Sequence, residues 1–399
     1  MMGKLHQQEG ASLDIRILVD PAVTGFIDAH TSALDSAIQP VQMSDAMRRR
    51  LTRSNYIFSG IKTFHELNEA FPSLLDENGE RKSFERFLND VQKIDSTYNE
   101  NYLRSEYNFV QASAEMAAKW ESFMEDGDRY NLQYRTQHDS KVRPEHAELH
   151  GVTLPPSDSF WEEYYPPNGW NCRCTVVQVR KSKYPTTPHD DAVSRGEAAL
   201  QRDTKGMFRF NPGIEKKTVP DYNPYTIKRC RDCDIAKGKL KLDFVPSNLL
   251  CDGCRLIHEC YENKEKTETG VLKEHYMHEM EHLLDIKHNM PTGTTGETIN
   301  VGFSKVGNKH LYSDTFGRSK VLRKEDLKDL DQLLSHATYI DDKELEEGEH
   351  SHDIVHFYYY QAELHGHKIR LNVAKEQITG KRGRARIKYY LYSINDIKE

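Results

Sequence analysis

No cysteine precedes Cys172, only three tryptophans occur, and no apolar run approaches the roughly 18 to 20 residues that span a bilayer. The first absence excludes a disulfide framework for the N-terminal part. The last excludes a membrane-spanning helix, and with it a membrane partner. The opening MMGKLHQQEG has no apolar core of the kind a secretion signal carries, so a soluble protein in an intracellular setting is expected. Internal repeats and low-complexity tracts are also missing. A formal net charge of −7 is mild for 399 residues and by itself announces no nucleic-acid partner.

What is present points to packed domains. Charged residues make up 29% and hydrophobic ones only 37%, yet aromatics reach 10%, more than a disordered chain carries. The length allows several domains at roughly 100 to 200 residues each. Residues 101–126, NYLRSEYNFVQASAEMAAKWESFMED, contain neither Pro nor Gly, and Leu103, Tyr107, Val110, Ala114, Ala117 and Met124 recur at helical spacing. The segments 21–55 and 84–99 also read as helical, separated by turn chemistry at DENGER. After Gly127 the composition shifts to Pro, Gly, Asn and aromatics, with TVVQV as one strand. From about 270 the pattern is α+β. A motif helix at 270–288 leads into the turn-rich PTGTTGET, a strand at TINVGF, a helix at LRKEDLKDLDQLLSHA, and three strand-like segments, DIVHFYYYQAEL, HKIRLNVAK and ARIKYYLYSI.

HEMEHLLDIKH at 278–288 fits H-E-x-x-H, in which two histidines one helical turn apart hold zinc and a glutamate polarises water. His288 falls at the offset of a third ligand. Against a zinc metalloprotease, the position where a glycine would turn the chain toward the metal is Asp285. The helical wheel also puts His278 and His282 opposite Leu272, Tyr276, Met280, Leu283 and Leu284. A solvated helix face is the preferred reading.

Two CxxC pairs, CRDC at 230–233 and CDGC at 251–254, are the strongest local metal signal. Cys230, Cys233, Cys251 and Cys254 could each give a thiolate to one tetrahedral zinc, which with four sulfur ligands would be structural. Cys260 is a spectator. Cys172 and Cys174 could form a second site with His146 and His150. The favoured alternative there is a small core of Trp161, Trp170 and prolines, with Arg173 paired to Asp139.

The run from Tyr134 to Val179, with VRPEH, LHG, LPP, FW and PPNGWNCRC in order, resembles the F-like head morphogenesis family of Mu-type tailed phages. SGIKTF, NENYLRSEY and FRFNPG extend the resemblance over roughly residues 20–225. By motif it carries over to Asp139, Arg143, His146, Gly151, Trp161, Pro166, Pro167, Gly169, Trp170, Cys172, Arg173 and Cys174, and it assigns no chemistry to them. It implies a minor head protein, found in the virion and in the host cytoplasm during assembly. Its partners would be portal and capsid proteins, and its role prohead assembly and DNA packaging or ejection.

Such proteins often carry a variable C-terminal module, and this one resembles in outline the barnase, EndoU and RelE-like metal-independent ribonucleases. That chemistry needs a base, an acid and cations for the phosphorane charge. His310 and His356 are candidates for base and acid, Lys309 and Arg370 for charge stabilisation, and Tyr390 for positioning. GNKHLYS is expected as a loop, and alternation puts His356 with Tyr358 and Tyr360 on one sheet face and Arg370 opposite Ile369, Leu371 and Val373. The end of the chain is locally basic, with nine Lys or Arg against four Asp or Glu from Gln361. The other reading is thus a non-catalytic module that binds DNA, RNA or another virion protein.

The expected architecture is therefore multidomain α+β: a mainly α head-morphogenesis region at 1–225, a four-cysteine zinc-knuckle linker at 226–264, and an α+β module with an antiparallel sheet at 265–399.

Overall fold

A computed structural model describes residues 1–137, 139–226, 249–293, 296–315, 319, 321–345, 353–379 and 385–397. They fall into two compact units, Met1–Asn263 and Lys264–Glu399.

After a short helix at Met2–His6 and a 3-10 turn at Ile15–Val19, the first unit has four long helices: α1 (Pro21–Ile38), α2 (Asp45–Ala70), α3 (Phe84–Ser96) and α4 (Leu103–Asp126). Their starts are chemically marked. Asp20 accepts a hydrogen bond from Ala22 N with Pro21 at the first helical position, and Ser44 accepts from Met47 N. Such caps are each worth about 1 kcal/mol. The DENGER turn is closed by Asp76, whose carboxylate accepts from Asn78 N and Glu80 N, with Gly79 in the left-handed region. On α4 the buried stripe is Phe109, Val110, Ala114, Ala117 and Trp120, whereas Met124 is exposed. Leu103 and Tyr107 are half-buried, and in the last turn Phe123 takes the buried position while Met124 lies off that face.

Leu34, Phe58, Phe64, Leu67, Phe87 and Phe109 form the helical core. Within it Lys62 Nζ lies 2.6 Å from a Glu106 carboxylate oxygen and 3.0 Å from His30 Nε2, and it donates to Tyr98 O. The Tyr225 hydroxyl also donates to Glu106. Burial pushes the Glu106 carboxyl up, but hydrogen bonds from His30, Lys62 and Tyr225 outweigh it and hold the group below its usual range.

After α4 come β1 (Asn131–Arg135), α5 (Pro144–Ala147), β2 (Thr153–Leu154), α6 (Phe160–Tyr164), β3 (Thr175–Val179) and α7 (His189–Ala199). The strands form a sheet of order β2-β1-β3, antiparallel throughout. Its core gathers Trp120, Leu132, Tyr134, Leu154, Trp161, Tyr165 and Val176. The helix α8 (Leu249–Glu279) begins in the first unit and ends in the second.

In the second unit β4 (Lys287–Thr292), β5 (Glu297–Gly302), α9 (Lys305–Asp314), α10 (Leu330–Ser335), β6 (Thr338–Glu344), β7 (Ile354–Leu364), β8 (His367–Thr379) and β9 (Ala385–Asp396) follow in order. They build a sheet of order β4-β5-β9-β8-β7-β6, antiparallel except for the β5–β9 pair. One face carries Tyr360, Ile369, Leu371, Val373 and Leu391 in a core with Leu311, Leu330 and Leu334 from α9 and α10. The other carries Ile354, Phe357, Ala374, Tyr390 and Tyr392. The chain is α+β, with a mainly helical first half and a sheet-built end.

Three expectations change here. The motif helix stops at Glu279, a tighter turn of helix covers Glu281–Asp285, and His288 belongs to β4. GNKHLYS lies in α9 instead of a loop. CDGC lies in the first turns of α8 and not in a tight knuckle, while CRDC falls outside the described residues.

Candidate functional site

The site is assembled where α5, β3 and the PPNGWNCRC turn meet. Trp161 anchors it, buried, with its indole N–H donating to Pro155 O. The Tyr165 hydroxyl donates to Met116 O, and the Tyr134 hydroxyl to the Asn168 side chain, both buried. Arg143 donates to Trp170 O at 2.7 Å and lies against Gly169, where a Cβ would come within 3.1 Å of its guanidinium. Trp170 packs on Phe109 and Phe208, tying the turn to α4. Tyr134 and Asn168 were not singled out from sequence. Asn168 sits directly after two prolines and before a glycine, which was the available signal.

Asn171 takes a left-handed conformation, φ 56°, and after it the side chains alternate. Arg173 turns out to solvent and forms a two-pronged pair with Asp139, at 2.7 and 2.8 Å. That hydrogen bond holds the Asp139 carboxyl down to about 2. Cys172 and Cys174 turn the other way, toward His146 on α5. Its Nδ1 lies 3.8 Å from Cys172 Sγ and 3.9 Å from Cys174 Sγ, and the donor atoms of all three residues lie within 4.8 Å of one another. His146 and Cys172 are buried, and no disulfide joins the two cysteines. The hydrogen bond from Cys174, then His146, holds the Cys172 thiol well below its usual range, and the same pairing raises Cys174. Among the described residues this is the group of three or more His, Cys, Asp or Glu side chains able to hold a metal ion. His150 stands outside it, with Nδ1 accepting from Thr136 N. Of the four ligands that the less favoured sequence reading would have joined, three are gathered here, beside the favoured Arg173–Asp139 pair.

Among the described residues the remaining candidates form no comparable group. Cys230 and Cys233 lie outside the described residues, and Cys254 packs against the helical core. His278 is exposed and pairs with Glu281, while His282 Nδ1 lies 2.7 Å from Glu279 O. With His288 on a strand, HEMEHLLDIKH presents no zinc-protease helix.

In the second unit His356 stacks on Tyr358 and pairs with Asp342 at 2.7 Å, on the sheet face of Tyr360. Arg370 stands over Tyr359 on the opposite face, opposite Gln361 in register. His310 on α9 lies against Tyr392, their ring centroids 4.1 Å apart, Tyr390 is buried beside Tyr392, and Lys309 is exposed. The sheet therefore separates His356 from Arg370 and Tyr390, and the five candidates do not share one groove.

The Phage Mu protein F like family matches residues 77–177, a narrower span than the sequence motifs suggested. The putative capsid assembly protein F of Escherichia phage Mu is 36% identical over 104 residues, 26% of this chain and 21% of that protein. The Mu-like prophage FluMu F protein of Haemophilus influenzae is 31% identical over 101 residues, 23% of this chain and 24% of that protein. The chain thus matches about a fifth to a quarter of the length of these relatives. No solved structure matches it. Residues 77–177, which match the Phage Mu protein F like family, hold α3, α4, β1, β2, the start of β3 and every residue of the His146, Cys172 and Cys174 group.

Proposed function

We propose that this chain is a minor head protein that acts in assembling the phage capsid, docks on portal and capsid proteins, and stays with the virion near the site of DNA packaging or ejection. The observation that carries the reading is the family match over residues 77–177, whose motif residues build one packed unit with the Arg173–Asp139 pair at its surface. A phage Mu relative, 36% identical over 104 residues, is named a putative capsid assembly protein. The domain division proposed is a head-assembly region at 1–225, a linker at 226–264 and a terminal module from 265. A structural zinc at Cys230, Cys233, Cys251 and Cys254 is retained on spacing alone.

The terminal module reads best as a binding module, because the sheet stands between His356 and Arg370, whereas metal-independent RNA cleavage needs base, acid and cation around one phosphate. The test is purification of proheads from cells producing wild-type or Trp161→Ala chain. Wild-type chain should co-sediment with proheads, and the variant should be depleted from them. Proheads that assemble normally and never carry the wild-type chain would refute the assembly reading. Incubating the full chain with labelled RNA in EDTA should give no cleavage. Cleavage lost in His310→Ala would restore the ribonuclease.

A further inference from the structure

We propose that His146 Nδ1, Cys172 Sγ and Cys174 Sγ bind a single zinc ion, with water as the fourth ligand. The geometry argues for it first. With Zn–S of about 2.3 Å and Zn–N of about 2.05 Å at tetrahedral angles, nitrogen and sulfur ligands of one zinc should stand about 3.6 Å apart. The two separations here are 3.8 and 3.9 Å. A neutral imidazole nitrogen has one lone pair and can accept only one S–H. Two sulfurs at nearly equal distance from the same Nδ1 fit a cation shared among the three atoms, the alternative being one Nδ1–H shared between both sulfurs.

The surroundings are built to hold that arrangement. Pro144 starts the short helix that carries His146, and the left-handed Asn171 turns both sulfurs inward while Arg173 points out. Arg143 fixes the preceding carbonyl of Trp170. His146 and Cys172 are only 4% and 6% exposed and Cys174 is half-buried, so two of the three donors are already stripped of bulk water. Two sulfurs and one imidazole favour zinc over hard cations such as magnesium or calcium, and two thiolates balance its charge. Cys172 and Cys174 also border a cavity of about 610 Å³ with Lys119 and Gln137, which leaves room for the water. The ion would tie α5 to the turn entering β3 and so fix the surface presentation of Arg173.

This inference uses only the chain's own atoms and does not depend on the assembly reading. The test is zinc content of the full chain, purified under reducing conditions, for wild type, Cys172→Ser, Cys174→Ser, His146→Gln and Cys254→Ser. The first three variants should each lose one equivalent of zinc, whatever Cys254→Ser does at the other cysteine set. Cobalt-loaded wild type should show a thiolate-to-cobalt charge-transfer band that weakens in Cys174→Ser. Alkylation of the wild-type chain, mapped by mass spectrometry, keeps the test decisive where a variant fails to fold: zinc should slow modification of Cys172 and Cys174 by about tenfold or more relative to EDTA-stripped chain. Unchanged zinc in folded Cys172→Ser, or equal alkylation of Cys172 and Cys174 with and without zinc, would overturn the site. So would a disulfide between the two cysteines in the protein as purified.

Discussion

Glu66 sits fully buried on α2 with one carboxylate oxygen lacking a hydrogen-bond partner. Burial, helped by the nearby Asp95 carboxylate, pushes its carboxyl up to about 7. The unfolded chain ionises this group near the ordinary glutamate value of about 4.3, so between that pH and about 7 the unfolded state sheds a proton that the folded state keeps. The contribution to stability is therefore fully present below about 4.3 and is lost as pH rises toward about 7. Glu66→Gln should leave stability at pH 4.5 nearly unchanged and raise it by roughly 1–3 kcal/mol at pH 8. Urea unfolding at the two pH values checks this. A variant that loses as much stability as wild type across that range would remove Glu66 as the cause. At this scale some of the candidate site was legible: the Asp139–Arg173 pair and two cysteines one residue apart were visible as residue types at short spacing. The role of His150 was not. Its place four residues after His146 suggests one helical face, but α5 ends at Ala147 and Gly151, with φ 84°, turns the chain back.

Short elements depend on what packs against them. In FRFNPG, Asn211 accepts from Gly213 N and Ile214 N, while its amide donates to Trp161 O. Pro212 then starts a short helix and Gly213 rests on Trp120, where a Cβ would come within 2.3 Å of the Trp120 Cβ. Neither partner can yield cheaply, since both are backbone-proximal atoms. Gly213→Ala should cost about 1–3 kcal/mol through overpacking, read as a lowered thermal midpoint. A midpoint within error of wild type would mean that the contact relaxes freely. The same dependence explains α9. Ser304 accepts from Gly307 N as a helix cap, and Gly307 lets the helix approach Leu391 O on β9, where a Cβ would sit at 2.2 Å. The glycine reads as a loop signal in sequence, and its use as a close-packing residue becomes visible only beside β9. Conversely, HEMEHLLDIKH has helical periodicity throughout, yet pairing of His288 with Val301 takes its last residues into a strand.

At the scale of the whole molecule, the two compact units have cores that share no described residue: aromatic helices and the small sheet in one, the six-stranded sheet in the other. Separate cores predict separate unfolding. Calorimetry of the full chain should resolve two transitions, with Gly213→Ala lowering one and leaving the other in place. A single transition that moves as a whole in the variant would show that the units unfold together. No helix among the described residues is long and apolar enough to cross a membrane, in line with the absence of long apolar runs. The sequence alone determined the class of most elements, since helical and strand periodicities are local records of which face is buried, and it carried the family motif as residue types in fixed order. It missed α9 and the strand end of HEMEHLLDIKH. Only the tertiary structure decided which candidates meet. It brought His146 to Cys172 and Cys174 across 26 and 28 residues of chain, and it set His356 and Arg370 on opposite faces of one sheet. The reason is physical: spacing along a chain constrains neighbours within a turn or a strand, whereas convergence over longer distances depends on packing that no short window of sequence contains.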